Sequence, residues 1–284
     1  MIGLVGNDVV HECAINIFNS IPENSIVLLK GDLPANSMRY LHLVEGIRPD
    51  LTLLDLELMT YGWYPIERKL SKLPEKPYIY HPIKGYNMHD LLEANPERTF
   101  YACTGLREDD HVWPTRLDLI PTGFCQEIIF KSQKPQKMEA LHDKFTSFSW
   151  KYLPPHSSNF SDDSWEKVAN DEMWAAKEKI ALSLLNYAVK LKDVSRSQKI
   201  LKQSYTIYEK IFDTHDDIPI YWYKNFGIVI SRIHWSKEDR RIKIQKLVNY
   251  WDIYLKSDEG MEDNQASGIK DALKSYQNSL QVQS

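Results

Sequence analysis

Two short apolar runs set the main constraint on the fold of this chain, because in each run the apolar residues are nearly continuous and do not alternate with polar ones. They are Ser25–Lys30 (SIVLLK) and Leu51–Leu56 (LTLLDL). Strands that are apolar on both faces are typical of a parallel sheet covered by helices. Between the runs, apolar residues at helical spacing predict a helix from Asn36 to Gly46. Together these segments predict a right-handed strand–helix–strand unit.

Further strands and helices are predicted along the first half of the chain. Thr99–Cys103 and Gln126–Phe130 have the composition of core strands, and Met88–Ala94 that of a short helix. The predicted fold class is therefore an α/β Rossmann-like domain with a mainly parallel sheet, spanning residues 1–135.

From residue 136 onward the pattern becomes almost entirely helical. Ser161 or Asp162 is expected to cap a helix that buries Trp165 and Val168 along one apolar face. Further on, glycine and aromatic residues occupy the spacing of a tetratricopeptide first helix, namely Tyr223, Phe226, Gly227 and Ile230. We therefore predict an all-α, tetratricopeptide-like domain over residues 136–284.

Composition narrows the classes of partner. The formal net charge is −4 and the sequence pI is about 6.2, so no general attraction to phosphate backbones is expected, and nucleic acid is excluded as a partner. No window approaches eighteen uninterrupted apolar residues, and the N-terminus lacks the features of a secretory signal. As written, the chain is expected to be soluble and to carry no targeting signal.

Polar residues follow the first two predicted strands, at the edge where α/β sheets commonly bind ligands. Asp32, Asp55 and Glu57 could bind a metal or sugar hydroxyls, with Asn36 and Arg39 placing the ligand. The favoured alternative is structural. In it Asp32 accepts backbone hydrogen bonds, Asn36 caps its helix, and Arg39 pairs with a neighbouring carboxylate.

Motifs that define common catalytic and metal sites are missing from the sequence. There is no phosphate-binding loop, no Gly-x-Ser-x-Gly elbow and no His-Glu-x-x-His helix, and the three cysteines lack zinc-ligand spacing. His89 next to Asp90 is interpreted as a surface hydrogen-bonding residue. Most tryptophans are expected in the core, whereas Trp63 and Trp113 are candidates for exposed stacking. No catalytic and no metal-binding residue is assigned.

Several segments resemble a known family. Ile26–Asp50 (IVLLKGDLPANSMRYLHLVEGIRPD), Leu54–Tyr61 (LDLELMTY), Ser164–Trp174 (SWEKVANDEMW) and Trp222–Phe226 (WYKNF) are similar to the animal transmembrane protein O-mannosyltransferases that modify IPT domains of plexins and related receptors. The matching segments spread over most of the chain. In that family the similar portion is a lumenal tail, and a membrane-embedded half of the GT-C type performs the transfer.

The resemblance implies a part of a glycosyltransferase rather than the whole enzyme. The parent enzyme would take mannose from dolichyl phosphate mannose and transfer it to Ser or Thr of IPT domains. This chain would hold no cofactor of its own. Its partners would be the membrane-embedded half and folded receptor domains, and its role acceptor recognition or stabilisation in the endoplasmic reticulum lumen.

A lumenal location has two further implications for this sequence. An oxidising compartment would let Cys103 pair with Cys125 in a disulfide. It would also make the Asn159-Phe160-Ser161 sequence an N-glycosylation acceptor at Asn159. The competing function is a free-standing scaffold that binds a protein partner through its helical domain.

Overall fold

A computed structural model describes residues 8–64, 73, 79–145 and 156–281. The described chain forms two compact units. The first unit contains the described residues up to 145 together with residues 160–176, and the second contains residues 156–159 and 177–281. The domain limits of 1–135 and 136–284 stay a prediction.

The first unit alternates helices and strands. In chain order its elements are α1 (Val9–Ser20), β1 (Ile26–Leu29), α2 (Asp32–Leu43), β2 (Thr52–Asp55), a 3-10 turn (Leu58–Thr60), α3 (Met88–Ala94), β3 (Phe100–Cys103), α4 (Trp113–Arg116), β4 (Leu117–Pro121), β5 (Gln126–Phe130), a 3-10 turn (Lys131–Gln133) and α5 (Lys134–Phe145).

The five strands form one mixed sheet in the order β2-β1-β3-β5-β4. β2, β1 and β3 run parallel, with Ile26 opposite both Thr52 and Phe100. β5 is antiparallel to β3, and β4 is antiparallel to β5. The prediction of a parallel sheet is thus confirmed for the three-stranded core. The remaining two strands form an antiparallel hairpin, and β4 was not predicted as a strand.

Helices cover both faces of the parallel strands, which explains the continuous apolar runs. Val27 and Leu29 face a cluster that includes residues of α1 and α2. Ile26 and Leu28 face the opposite cluster, which includes residues of α3. Because alternate residues of one strand enter opposite cores, all four residues of β1 are buried.

The helix after β1 begins earlier than the sequence predicted. α2 starts at Asp32 rather than near Asn36. Pro34 therefore lies in the first helical turn, where its missing N–H removes no intrahelical hydrogen bond. Gly31 precedes the helix with a φ of 86°, a conformation that suits glycine. Asn36 consequently lies within the helix and does not cap it.

The density of proline and aromatic residues from Leu73 to Tyr86 predicts an ordered surface loop. This prediction is wrong in part, because Tyr80 and Tyr86 in the described part of the segment are both buried. Their rings contact each other with centroids 5.9 Å apart. The sequence also predicts a helix from Tyr64 to Leu73, and that segment falls almost wholly outside the described residues.

The second unit is helical. It begins with a 3-10 turn (Ser157–Asn159). The helix α6 (Trp165–Ala188) is divided between the units, and its residues from Lys177 onward belong to the second. The helices that follow are α7 (Val194–Thr214), α8 (Ile220–Arg232), α9 (Lys237–Leu255), α10 (Asp258–Glu262) and α11 (Ala266–Gln281). None of the helices in the described ranges has the length and apolarity required to cross a lipid bilayer.

Two details of α6 differ from the prediction. Ser164, rather than Ser161 or Asp162, accepts a hydrogen bond at its Oγ from the N–H of Lys167, at 3.1 Å. Trp165 is 58% exposed and Val168 is 41% exposed, so neither belongs to the buried face. The buried face of a long helix rotates along its length, and these first-turn residues lie outside it.

A close approach of two helices organises the second unit. A Cβ placed on Gly227 of α8 would lie 2.1 Å from the indole Nε1 of Trp251 on α9. That indole donates a hydrogen bond to the carbonyl of Lys224, at 3.2 Å. Only glycine leaves room for this contact. The tetratricopeptide-like character of the helices stays a prediction.

Candidate functional site

The carboxyl ends of β1, β2 and β3 lie at one edge of the sheet, because these strands run parallel. This edge is where ligands usually bind in α/β sheets. It carries the predicted residues, since α2 begins directly after β1 and Asp55 is the last residue of β2. The question is whether their side chains face a common space.

Asp55 is engaged by four groups. Its carboxylate forms an ion pair with the guanidinium of Arg39 from α2. Its Oδ1 also accepts hydrogen bonds from the N–H groups of Glu57, at 2.8 Å, and Leu58, at 3.0 Å. The N–H of Asp55 donates to the hydroxyl of Tyr64, at 3.1 Å. These bonds fix the turn after β2 and leave little capacity for a ligand.

Glu57 faces a second arginine. Its Oε2 accepts a hydrogen bond from Nη1 of Arg107, at 3.0 Å. Arg107 also donates to Asp109 through Nε, at 2.8 Å, and through Nη2, at 2.7 Å. The hydrogen bond with Asp109 raises the pKa of Arg107 and lowers the pKa of Asp109. Two of the ion pairs at this edge of the sheet, Arg39 with Asp55 and Arg107 with Glu57, therefore join residues far apart in sequence.

Of the other two predicted residues, Asn36 contacts Arg39 and Asp32 does not. Asp32 is the exposed first residue of α2. Asn36 is exposed as well, and its Oδ1 accepts a weak hydrogen bond from Nη1 of Arg39, at 3.5 Å. The structure thus brings Arg39, Asp55 and Asn36 together, places Glu57 with Arg107, and leaves Asp32 apart.

A cleft beside β2 is lined by Arg39, Asp55, His42 and Tyr64 together with three leucines, and it encloses no space wide enough for a water molecule. The arginine that would place a ligand instead fills the space beside the carboxylate. The arrangement favours the structural alternative for Arg39, and a ligand role for the five residues stays a prediction.

A buried carboxylate on the loop after β3 was not identified from the sequence. Asp110 is fully buried, and its Oδ2 accepts hydrogen bonds from the Tyr80 hydroxyl, at 2.8 Å, and from the N–H of Met88, at 2.9 Å. Its Oδ1 accepts from the N–H of Val112, at 3.1 Å. Burial, with the Asp110 charge beside it, raises the pKa of Tyr80. Asp110 joins three segments, and the only sequence signal for this arrangement was the density of proline and aromatic residues from Leu73 to Tyr86.

The two cysteines of the predicted disulfide are joined in the structure. Cys103 is the last residue of β3 and Cys125 precedes β5, with their Cα atoms 4.4 Å apart. The antiparallel register places Ala102 opposite Gln126, so the next pair along the ladder is Cys103 and Cys125. The bond joins the end of β3 to the start of β5.

Cys13 is the remaining cysteine, and it is buried and free. Burial, aided by the charge of Glu172, raises the pKa of its thiol to about 12. Because the thiolate is the reactive form, this thiol has the character of a core residue rather than a nucleophile.

Asn159 ends the 3-10 turn of the second unit, and its side chain is exposed. The turn is fixed by Asp216, whose carboxylate accepts hydrogen bonds from the N–H of Ser157, at 2.7 Å, and of Ser158, at 3.1 Å. The predicted acceptor asparagine is therefore accessible on an ordered turn.

His89 is buried, so its interpretation as a surface residue is wrong. Its Nε2 lies 3.5 Å from Oε1 of Glu93 and 3.4 Å from Nη1 of Arg116. Its ring packs edge-on against Phe130, with centroids 5.6 Å apart. His89, Asp90 and Glu93 are close enough to share an ion. However, the carboxylate of Asp90 is already used in the capping box of α3, and Arg116 places a positive charge beside the imidazole.

The two tryptophans expected to be exposed differ. Trp63 is 52% exposed and lies beside Tyr61, with ring centroids 6.4 Å apart. Trp113 is half-buried, and its indole donates to the carbonyl of Arg107, at 3.2 Å. Only Trp63 keeps a ring surface open for stacking.

Comparisons with known proteins identify similar sequences. The chain is 30% identical over 292 residues to the Mus musculus protein named Protein O-mannosyl-transferase TMEM260, with 97% of this chain and 40% of the mouse protein covered. It is 28% identical over 227 residues to the Dictyostelium discoideum protein of the same name, with 78% of this chain and 28% of that protein covered. The chain thus spans less than half the length of these relatives. No protein-family model and no solved structure matches it.

Proposed function

We propose that this chain is a non-catalytic lumenal portion of a protein O-mannosyltransferase, where it recognises the acceptor domain or stabilises the enzyme. The parent enzyme would transfer mannose from dolichyl phosphate mannose to Ser or Thr of IPT domains. The partners of the chain would be the membrane-embedded half of that enzyme and the folded receptor domains that accept mannose.

The observation that carries the proposal is the extent of the similarity. The match covers 97% of this chain but 40% of the mouse protein O-mannosyl-transferase. Both units of the chain therefore correspond to one portion of the relative. In this proposal, the catalytic residues lie in the rest of that protein.

The chemistry of the first unit supports a non-catalytic role. A transferase of this kind needs a carboxylate base beside the acceptor hydroxyl. At the carboxyl edge of the sheet, Asp55 and Glu57 instead face Arg39 and Arg107. Both carboxylates are thus already engaged by guanidinium groups within the chain rather than presented to an acceptor hydroxyl.

Two features of the chain support a lumenal location. The disulfide between Cys103 and Cys125 is typical of proteins in an oxidising compartment. Asn159 is exposed within an Asn-x-Ser sequence, as a glycan acceptor must be. Both features suit the endoplasmic reticulum lumen.

The test uses the mouse relative in cells that lack their own copy of it. The protein is expressed intact, with the matching region deleted, and with that region replaced by this chain. O-mannose on a co-expressed IPT domain is measured by mass spectrometry, and enzyme abundance by immunoblot. We expect the deletion to abolish mannosylation and the replacement to restore part of it. Full mannosylation by the deletion variant would contradict the proposal.

Abundance separates the two roles within the proposal. A deletion variant that accumulates normally but transfers no mannose indicates acceptor recognition. A variant that is degraded indicates stabilisation of the enzyme.

A further inference from the structure

A pocket of about 320 Å³ lies within the second unit. It is formed by the end of α8, the turn that follows, α9 and α11, through Ile230, Ser231, Ile233, His234, Trp235, Arg240, Ile244, Leu247 and Tyr276. Its volume falls at the lower end of the range for ligand sites, about 300–1,000 Å³.

The residues that line the pocket change from apolar to charged between its buried floor and its exposed rim. The floor is apolar and buried, and consists of Ile230, Ile233, Ile244 and Leu247. Trp235 and Tyr276 form half-buried aromatic walls, and His234 and Arg240 form an exposed basic rim. A ligand that fits would place an apolar group on the floor and an acidic group at the rim.

The walls are held in place before any ligand binds. The indole of Trp235 donates a hydrogen bond to the carbonyl of Ile230, at 2.9 Å, and its ring packs edge-on against Tyr205, at 5.0 Å. The backbone N–H of His234 donates to Oε1 of Gln198, at 2.7 Å. A preformed site loses less conformational freedom on binding, which favours affinity.

The charge of the rim is unbalanced. No Asp or Glu contributes to the lining formed by the described residues. The arginines at the sheet edge of the first unit differ, because Arg39 and Arg107 each pair with a carboxylate. The rim of this pocket therefore offers positive charge to a carboxylate from another molecule.

We infer that this pocket binds a peptide segment of a partner protein in which a large apolar side chain lies close to an Asp or Glu. The pocket is open to solvent at its mouth. An open mouth suits a side chain inserted from a segment that crosses the surface. Grooves between helices are a common site for such recognition.

The inference rests on the second unit alone and does not depend on the transferase proposal. A failed binding test would leave that proposal unchanged, and a failed transferase test would leave this one unchanged.

The test begins with an array of short peptides probed with the full chain. The peptides combine Asp or Glu with Phe, Leu, Trp or Tyr, either adjacent or separated by a short spacer. Matched peptides replace the acid with its amide or the apolar residue with alanine. We expect binding to some acidic–apolar peptides and at least about fivefold weaker binding when either element is replaced, as expected for loss of one ion pair or one anchor.

The site is assigned with variants of the rim. Arg240→Glu is expected to weaken binding of the best peptide by on the order of tenfold, because it reverses a charge that faces the ligand. Arg241→Glu is the matched control, since Arg241 is exposed on the same helix turn but does not line the pocket. Fluorescence anisotropy measures affinity, and thermal unfolding verifies that both variants are folded.

Two results would overturn the inference. One is the absence of binding to every peptide of the array at about 1 mM. The other is an equal loss of affinity in Arg240→Glu and Arg241→Glu, which would indicate only a general effect of charge.

Discussion

The arginines of the two units face different surroundings. At the carboxyl edge of the first unit's sheet, Arg39 pairs with Asp55 and Arg107 pairs with Glu57 and Asp109. In the second unit, the described lining of the pocket places His234 and Arg240 around an apolar floor with no acid among them.

This difference indicates where the molecule can bind a partner. A charge that already pairs within the chain must break that pair before it can bind a ligand, and the cost offsets the new contact. A basic rim without an internal acid meets no such cost. The charged side chains at the sheet edge of the first unit therefore stabilise the fold, whereas the pocket of the second unit is the place where we propose that a partner binds.

The largest expected effect concerns the disulfide between Cys103 and Cys125. Replacing Cys103 and Cys125 together with serine should destabilise the first unit by about 3 kcal/mol, because the disulfide closes a loop between residues 22 positions apart. Urea unfolding measures the change. The double variant should be insensitive to reducing agent, whereas the native chain should lose a similar amount of stability when reduced. No difference between native chain and variant under oxidising conditions would contradict the account.

The next effect tests how the second unit is built. Gly227→Ala should cost about 2 kcal/mol, because its Cβ would overlap the indole of Trp251. Gly268→Ala on α11 is the control, since a Cβ there meets no atom within 4 Å. That control should gain about 0.5–1 kcal/mol from its better helix propensity. Far-UV circular dichroism during urea unfolding reports both changes, and equal effects would exclude the close contact of α8 with α9.

A smaller effect tests whether the sheet edge is a brace or a binding site. Asp55→Asn should cost about 1–2 kcal/mol through loss of its charged hydrogen bonds. Glu57→Gln should cost less than about 0.5 kcal/mol, because that side chain is 64% exposed. Mannose and divalent metals should leave the melting temperature of the native chain unchanged. A rise that Asp55→Asn abolishes would instead establish the ligand site.

The smallest expected effect is on the pH dependence of stability, to which Asp50 and Glu178 should contribute with opposite signs. A hydrogen bond from Arg48 lowers the pKa of Asp50 to about 2, so Asp50 stabilises the folded state above its unfolded pKa, and this contribution is lost as pH falls towards 2. Burial raises the pKa of Glu178 in the second unit, although Tyr208 and Asn225 donate to it. Its charged form is therefore disfavoured on folding, and stability declines as pH rises above its unfolded pKa.

Variants isolate these two contributions. From about pH 7 to about pH 3, the stability lost by Asp50→Asn relative to the native chain should shrink. At about pH 7, Glu178→Gln should be more stable than the native chain, because it places no buried negative charge at this position. This difference in stability should disappear towards about pH 3, where Glu178 is protonated in both states. Unfolding free energies of the variants at several pH values provide the measurement. Parallel trends for the two variants would contradict the assigned pKa directions.

Local features of the fold could be predicted from the sequence. Continuous apolar runs predicted β1 and β2, because burial on both faces leaves no alternation. Met88–Ala94 was predicted with the bounds that the structure shows. The start of α2 was misplaced, because proline reads as a helix breaker although the first turn accepts it.

The contacts that determine the sites depend on distant residues and could not be predicted. Arg107 lies 50 positions from Glu57, and Asp110 lies 30 positions from Tyr80. Neither pairing leaves a periodic signal in the sequence. The pocket of the second unit combines three helices and a turn, so no single segment reveals it. Sequence spacing suggested a role for Gly227, but the contact with Trp251 required the fold.

The most direct test of the proposed function uses the purified chain on its own. It is incubated with dolichyl phosphate mannose and a folded IPT domain, with the intact mouse relative as positive control, and the IPT domain is analysed by mass spectrometry. The account predicts that mannose is added by the mouse protein but not by this chain. Transfer of mannose by the isolated chain would contradict the assignment of a non-catalytic portion.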